Sequence, residues 1–292
     1  MGELVSKMKI INYEDECYPE SLKNIGNPPQ KLYVLGDESI LNTQCLSIVG
    51  SRNCTDYGAE MAIDFAKKIA QAGITIVSGM ARGIDSQAHL GAIEAKGKTI
   101  AVLGSGFNHI YPSKKVYKQI LKNGGAVITE YEENVGVFSQ GFRDRNRIVA
   151  GLSVGTLVIE AKEKSGTGIT AEYVKKYGRE LWCIPHLIGD KSGMGTNRLL
   201  KKGAKLVTGI EDIMQYFDNP KPIEISEKEL IIEIPEEYRE IYNQIKNEPI
   251  NVDEIAKKIK RKINEVNTIL TMLELEGFIE SLPGNYFKRK GF

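Results

Sequence analysis

One pattern recurs seven times between residues 45 and 217: a short run of apolar and β-branched residues, then a loop that contains glycine, then a helical stretch. The runs occupy residues 46–49, 74–77, 99–103, 126–129, 154–159, 181–184 and 204–207. Runs that are apolar throughout, rather than at every second position, are typical of strands buried on both faces of a parallel sheet. We therefore predict an α/β fold with a doubly wound, mostly parallel Rossmann-like sheet, whose ligands bind beyond the carboxyl ends of the strands.

The pattern also divides the chain into four segments. We predict a short N-terminal lead-in at 1–44, the sheet domain at 45–217 and a linker at 218–235, where three prolines lie among charged residues. Residues 236–292 contain three helical stretches and then two short strands, which is the order of a small winged-helix domain. This last segment has ten basic and ten acidic residues, a net charge of zero. Its sequence leaves open whether it binds DNA, binds a partner protein or stabilises a dimer.

Composition argues against several classes of protein. The 292 residues include 39 Lys and Arg and 38 Asp and Glu, a net charge of +1, so a nucleic-acid surface has to come from local clustering of charge. The four cysteines form no C-x-x-C pair and the three histidines are scattered, which argues against a zinc site and a disulfide scaffold. No apolar run is long enough to span a membrane. We expect a cytoplasmic protein that uses no cofactor and has no membrane partner.

The loops after the first two strands carry residues suited to a phosphate site. At a tight turn before a helix, backbone N–H groups are free to bind an anion, and an adjacent hydroxyl and guanidinium strengthen such a site. We expect this of the N–H groups in the first loop, although glycine is also common in such turns for structural reasons alone. The candidate residues in the two loops are Gly50, Ser51, Arg52, Ser78 and Gly79.

The third loop does not complete a known nucleotide fingerprint. Its sequence GSGFNH at 104–109 has His109 where the dinucleotide motif needs a third glycine, and it follows the third strand rather than the first. The chain also contains no G-x-x-x-x-G-K-[ST] motif. We therefore expect neither an NAD site nor a P-loop nucleotide site.

A further candidate segment, GFRDRNR at 141–147, has three arginines at alternate positions beside an aromatic residue. If the segment is an extended entry to a helix, the arginines point the same way along a phosphate backbone, and the aromatic ring stacks a base. The alternative is a solvated loop in which Asp144, Glu130 or Glu132 pairs with the arginines. The candidates are Phe142, Arg143, Arg145, Asn146 and Arg147, together with Lys114 shortly after the Tyr111-Pro112 dipeptide.

Residues 165–170 place two glycines and three hydroxyls at a predicted helix start, which makes another anion cradle. The candidates are Ser165, Gly166, Thr167, Gly168 and Thr170. The loop also resembles the G-G-x-G-T-x-x-E loop of nucleoside-monophosphate phosphoribohydrolases, in which Glu172 would be a catalytic carboxylate and Arg145 a phosphate anchor. Ser165 and Ile169 depart from that motif, so the enzyme remains the alternative hypothesis. If the protein instead binds DNA without catalysis, we expect Glu172 to lie in the first turn of the helix.

Five motifs follow one another in a set order: IVGSR at 48–52, SGMARGIDSQAH at 78–89, YP at 111–112, FRDRNRIVAGLS at 142–153, and EA at 160–161 with SGTG at 165–168. Together they resemble the DNA-processing protein A family, also called DprA or Smf. The resemblance implies a protein without catalytic activity that binds single-stranded DNA without sequence preference, forms a homodimer and helps to load the RecA recombinase during natural transformation. It also implies that Ser51 and Arg52 contact phosphate, and that residues 142–147 and 165–170 complete the pocket.

Overall fold

The computed structural model describes residues 8–163, 165–221, 236–246, 248–275 and 278–289. The chain divides into two compact units, Met1–Ile223 and Glu224–Phe292. Most of the expected linker, residues 222–235, lies outside the described residues.

In the described part of the first unit, one nine-stranded sheet forms the centre. Its strands are β1 (Lys9–Asn12), β2 (Lys31–Gly36), β3 (Cys45–Val49), β4 (Thr75–Ser78), β5 (Thr99–Val102), β6 (Ala126–Thr129), β7 (Gly155–Val158), β8 (Glu180–Cys183) and β9 (Lys205–Leu206). They lie in the order β1-β2-β6-β5-β4-β3-β7-β8-β9. The seven strands that follow one another in space as β6-β5-β4-β3-β7-β8-β9 are all parallel to one another. Strands β1 and β2 are antiparallel additions at the β6 edge. The predicted mostly parallel sheet is confirmed, and all seven apolar runs form strands.

The helices of this unit lie between and after the strands. They are α1 (Glu20–Lys23), α2 (Asp56–Gln71), α3 (Ile84–Glu94), α4 (Lys114–Lys122), α5 (Ser139–Leu152), α6 (Thr167–Lys176), α7 (Met194–Lys201) and α8 (Glu211–Met214). Strands β4 to β6 lie on one side of β3 and strands β7 to β9 on the other. The strand order therefore reverses between β3 and β7, and such a switch point opens a crevice at the carboxyl ends of the two strands.

Both faces of the sheet are buried, which explains why the strand sequences are apolar throughout. Ile48 and Ile76 pack on one face in a cluster with Phe65 of α2. Val77 and Ile100 pack on the other face in a cluster with buried residues of α5. Each fully buried aliphatic side chain contributes about 1.5–3 kcal/mol relative to an exposed one, so the two clusters fix the strands and the loops that follow them.

The segment that we predicted as a lead-in, residues 1–44, is part of this sheet. It supplies β1 and β2, and β2 pairs with β6 in antiparallel register from Tyr33–Thr129 to Gly36–Ala126. Leu32 and Val34 of β2 are buried in the same cluster as the parallel strands. The recurrent pattern did not reveal these strands, because β1 is largely exposed and β2 pairs antiparallel to its neighbours at the edge of the sheet rather than entering a crossover helix of a parallel unit.

The second unit has the predicted order of a winged helix. Its elements are α9 (Glu236–Tyr242), β10 (Ile250–Asn251), α10 (Val252–Ile259), α11 (Ile263–Leu275), β11 (Ile279–Leu282) and β12 (Tyr286–Arg289). The three strands lie in the order β10-β12-β11, and side chains such as Ile241, Ile255 and Leu270 form a core of their own. Throughout the described ranges of the chain, none of the helices has the length and apolar character of a membrane span.

Candidate nucleic-acid interface

An open pocket of about 730 Å³ lies at the switch point between β3 and β7. The loop after β3, the first part of α5 and the start of α6 form its walls. Most of the predicted site residues line it: Gly50, Ser51, Arg52, Phe142, Arg143, Arg145, Asn146, Ser165, Gly166, Thr167 and Thr170. Three motifs that are far apart in the sequence therefore meet in one cavity, because each follows or precedes a strand that ends at this edge of the sheet.

Several predicted residues do not line this pocket. Ser78 is fully buried, and its hydroxyl donates to the carbonyl oxygen of Ile48 at 2.6 Å. Gly79 provides space, since a Cβ atom there would collide with the guanidinium of Arg145. Lys114 begins α4, and Gly168 lines an adjoining groove. The roles of Ser78 and Gly79 in the structure are thus those of packing residues.

The three arginines of residues 143–147 lie on the α-helix α5 and not in an extended segment. The expectation that they point the same way is therefore wrong, because residues two apart are separated by about 200° around a helix axis. Arg143 is exposed and lines the pocket. Arg147 is buried and donates hydrogen bonds of 2.8 and 2.7 Å to the two carboxylate oxygens of Glu130. For Arg147, the pairing alternative is correct.

Arg145 lies beneath the pocket and is buried together with Asp85. Its Nη1 donates to the carbonyl oxygen of Val102 at 2.5 Å, and its Nη2 lies 3.6 Å from Oδ2 of Asp85. Burial raises the pKa of Asp85 and lowers the pKa of Arg145, and in each case the opposite charge of the partner counteracts the shift. The Asp85 carboxylate also accepts a hydrogen bond from the backbone N–H of Ala81 at 3.4 Å, and the nearby Gly50 N–H helps to counteract the rise in its pKa. The pair therefore ties together the ends of β3, β4 and β5.

The backbone N–H groups of the first loop are not free for an anion, contrary to our expectation. The Gly50 N–H lies beside the Asp85 carboxylate, where it counteracts the rise in the pKa of that group, and the Ser51 N–H donates to the carbonyl oxygen of Glu160 at 2.8 Å. A Cβ atom on Gly50 would lie 2.6 Å from Cγ1 of Ile84, so close packing explains this glycine. The anion-binding capacity of the loop lies in the side chains of Ser51 and Arg52.

A cation and an aromatic ring, Arg52 and Phe142, line the pocket, and a second aromatic ring, Tyr111, lies beside them. The guanidinium carbon of Arg52 lies 5.4 Å from the centroid of the Phe142 ring, and the Tyr111 ring lies 5.7 Å from the same ring. Tyr111 is 45% exposed, and Arg52 is exposed as well. Exposed rings next to a guanidinium provide flat surfaces on which unpaired bases stack. The sequence analysis noted the Tyr111-Pro112 dipeptide but did not assign Tyr111 to the site.

The charge of the pocket is positive. Apart from the Arg145–Asp85 pair, its described lining has three cationic side chains, Arg52, Arg143 and Lys162, and no carboxylate. Lys162 was missed in the sequence because it lies in a run of mixed charges. At Gly166, no atom lies within 4 Å of where a Cβ atom would be, so this glycine leaves the pocket open rather than packing against a neighbour.

Glu172 does not face the pocket. It is the sixth residue of α6, which begins at Thr167, and so it lies in the second turn of the helix rather than in the predicted first turn. It is exposed and lines the adjoining groove, whereas Arg145 lines the pocket. A phosphoribohydrolase would need both side chains at one substrate, and this arrangement separates them.

Two of the three histidines, His89 and His186, have structural contacts through their rings. His89 is fully buried, its Nδ1 lies 2.7 Å from Oγ1 of Thr99, and burial lowers its pKa to about 3. Nε2 of His186 lies 2.8 Å from the carbonyl oxygen of Ile159. Within the described residues, no cluster of three or more His, Cys, Asp or Glu side chains could hold a metal ion.

The sequence model of the family "DNA recombination-mediator protein A" matches residues 9–218, which include the whole sheet and the whole pocket. This chain belongs to that family. The model of the DprA winged helix domain matches residues 227–285 of this family member. The resemblance stated from the motifs is thus confirmed.

Curated relatives and solved structures agree with this assignment. This family member is 35% identical to Protein Smf of Escherichia coli over 289 residues, which cover 96% of the chain and 77% of the relative. It is 38% identical to DNA processing protein DprA of Bacillus subtilis over 207 residues, or 70% of each protein. The DprA structure from Streptococcus pneumoniae matches with a TM-score of 0.68 and 36% identity, over 73% of this chain and 76% of that one.

A second solved structure bears on the ligand of a relative. It concerns the single-stranded DNA binding mode of DNA processing protein A from Helicobacter pylori. It matches this DprA-family chain with a TM-score of 0.64 and 32% identity, over 73% of this chain and 97% of the other.

Proposed function

We propose that this protein binds single-stranded DNA, without sequence preference, in the pocket between β3 and β7. The observation that carries the proposal is the combination of three cationic side chains, Arg52, Arg143 and Lys162, with the half-buried Phe142 ring in the same lining and the exposed Tyr111 ring beside it. Cations bind a sugar-phosphate backbone of any sequence, and aromatic rings stack bases of any kind. The Helicobacter pylori relative, whose single-stranded DNA binding is described, supports the same ligand for this chain.

The residues of the proposed site have different roles. Arg52, Arg143, Lys162 and the Ser51 hydroxyl bind phosphate, Phe142 stacks a base, and Asn146 and the start of α6 complete the walls. Arg145, Gly50 and Gly79 hold the loops in place beneath them. Duplex DNA is a poorer ligand, because its bases are already stacked and paired and because two backbones do not enter one pocket.

We also propose a role for the bound strand in recombination. The family is one of recombination mediators, and we extend the proposal to a homodimer that protects incoming single strands in the cytoplasm and helps to load RecA on them during natural transformation. This role needs affinity for DNA and for the recombinase, and no catalytic step.

Two measurements test the function. Fluorescence anisotropy with labelled oligothymidylate, oligoadenylate and a mixed sequence should give dissociation constants within about fivefold of one another, because stacking strength varies only modestly between bases. RecA filament formation on single strands should be faster when this protein is added. A strong preference for one sequence, or no effect on RecA, would contradict the corresponding part of the proposal.

The enzyme alternative has its own test. A phosphoribohydrolase breaks a glycosidic bond through an electron-poor sugar cation, so Glu172 would have to be close to the ribose. Incubation with nucleoside monophosphates should release no free base under the binding proposal, and E172Q should bind DNA as tightly as the unchanged protein does or slightly more tightly, because one negative charge near phosphate is gone. Release of base that is lost in E172Q would favour the enzyme.

A further inference from the structure

A second cavity, which we call the α6–α7 groove, adjoins the pocket. It has a volume of about 360 Å³ and lies between helices α6 and α7. Its lining shares Lys162, Ser165 and Ile169 with the pocket, so the two cavities adjoin one another. The groove is not needed to explain the pocket chemistry, and none of its other charged residues was a candidate for DNA binding.

The rim of the groove carries more positive than negative charge. Its four cationic side chains are those of Lys162, Lys175, Arg198 and Lys202, and its described carboxylates are Glu163 and Glu172. Nη1 of Arg198 lies 3.2 Å from Oε1 of Glu163, and both side chains are half exposed. Because such a solvent-exposed ion pair is weak, another anion can replace the Glu163 carboxylate at Arg198. The described rim therefore has a net charge of +2, from four cations and two anions.

The floor of the groove has apolar side chains, and its border with the pocket has two glycines. Ala161, Ala171 and Leu199 provide apolar surface in the groove lining. At the border, the sites of missing Cβ atoms at Gly166 and Gly168 have no neighbouring atom within 4 Å. These two glycines therefore place no side chain across the passage between the cavities. A narrow apolar floor with a cationic rim suits a sugar-phosphate chain, whose sugars are largely apolar and whose phosphates are charged.

We propose that the α6–α7 groove is a second subsite for the same DNA strand, which runs from the pocket across the start of α6 and into the groove. This inference rests on the proposed function and extends it, since it predicts how affinity depends on strand length. A short strand fills the pocket alone. A longer strand also places phosphates beside Lys175, Arg198 and Lys202, and its affinity and salt dependence increase accordingly.

The test compares K202E with K201E in the full-length protein. Lys201 and Lys202 are exposed neighbours at the C-terminal end of α7, but only Lys202 lines the groove. The Lys202 backbone oxygen, and not its side chain, accepts the hydrogen bond from Lys175, so the substitution leaves that contact available. Binding is measured by anisotropy for oligothymidylates from the trinucleotide to the dodecamer, over a range of salt concentrations.

K202E should weaken binding of the dodecamer about tenfold, the effect of losing one charged contact, and reduce the log–log salt slope by about 0.7 for one phosphate. K202E should leave trinucleotide binding unchanged, and K201E should behave like the unchanged protein with both strands. Equal effects of K202E and K201E, or an equal effect of K202E on both lengths, would overturn the subsite. If the unchanged protein binds no strand of any length, the proposed function itself fails.

A second variant, E163Q, should change the affinity for DNA in the opposite direction to K202E. E163Q removes the carboxylate that pairs with Arg198 and frees the guanidinium for phosphate. It should strengthen dodecamer binding severalfold and leave trinucleotide binding unchanged. Dodecamer binding that is unchanged or weaker in E163Q would contradict a DNA strand in this groove.

Discussion

Arg52 is the cation whose environment is most suited to a phosphate contact. It is exposed, it lines the pocket, and its guanidinium lies 5.4 Å from the Phe142 ring, which restricts its orientation. Arg145 and Arg147 differ from it, because their charges are buried against Asp85 and Glu130. The same residue type is thus free for the proposed phosphate contact at one position and forms a buried ion pair at two others.

R52E should therefore weaken binding to every single-stranded sequence alike. Loss of a charge-assisted contact costs about 1.5–3 kcal/mol, and the new carboxylate adds repulsion, so we expect a loss of at least tenfold. R52K keeps the charge but not the flat group over Phe142, and should lie between the two. Thermal unfolding of both variants should match that of the unchanged protein. Unaltered affinity in folded R52E would show that Arg52 is not a phosphate contact.

Sequence reasoning identified the residues of the pocket better than their individual roles. The motifs around Arg52, Phe142 and Gly166 could be located because glycine, arginine and aromatic residues at strand ends are unusual together. The difference between Arg143 and Arg147 depends on α5 beginning at Ser139, before the arginines rather than after them. The residue before that start is Phe138, which provides no side-chain cap, so an N-cap at that position could not mark the start of the helix.

At the scale of elements, the Asp85–Arg145 pair connects helix α3 to helix α5 beneath the pocket. Removal of one partner leaves a buried charge without its counter-charge, which costs about 3–5 kcal/mol. D85A should thus lower the free energy of unfolding by about that amount, and D85A with R145M should cost less than the sum of the single changes. Urea unfolding of all four proteins measures this coupling. Additive effects would mean that the two side chains do not stabilise each other.

His89 on α3 gives the fold a specific sensitivity to acid. Burial, with a smaller contribution from the charge of Arg145, lowers its pKa to about 3, against about 6.5 in an unfolded chain. Between these values the unfolded chain binds a proton that the folded protein does not. The stability therefore falls as the pH falls from about 6.5 towards 3, by about 1.4 kcal/mol per pH unit.

The H89Q variant lacks this titration. Its free energy of unfolding should decrease less between pH 6.5 and 4.5 than that of the unchanged protein, by about 2.3 kcal/mol, because the unfolded-state histidine is already half protonated at pH 6.5. The comparison of slopes holds even if the variant is less stable at neutral pH. Equal slopes would show that His89 is protonated in the folded protein.

The parallel strands were predictable element by element, and the antiparallel ones were not. Strands β3 to β8 follow a rhythm that burial on both faces imposes on the sequence, whereas the two residues of β9 are exposed at the other edge. Strands β1 and β2 lie at the edge of the sheet, and β1 is largely exposed, so no such rhythm marks them. Their position depends on pairing with β6, a contact nearly a hundred residues away that local sequence does not encode.

For the whole molecule, the two compact units have separate apolar cores. Ile48 and Val77 belong to clusters of the first unit, whereas Ile241 and Leu270 belong to a cluster of the second. A chain that ends at Ile223 should therefore fold, unfold in one cooperative step and bind single-stranded DNA within about threefold of the full-length protein. A soluble, folded chain of this length that has lost most of its affinity would mean that the basic residues at 257–262 form a main DNA site.

The most direct test of the account compares single-stranded with duplex DNA. Anisotropy titrations with oligothymidylate and with a blunt duplex of the same length should show clearly tighter binding of the single strand, because only unpaired bases can stack on Phe142 and Tyr111. Its affinity should fall with salt at a log–log slope of about −0.7 for each phosphate neutralised. Equal affinity for the two ligands at every salt concentration would contradict a pocket that recognises single-stranded DNA.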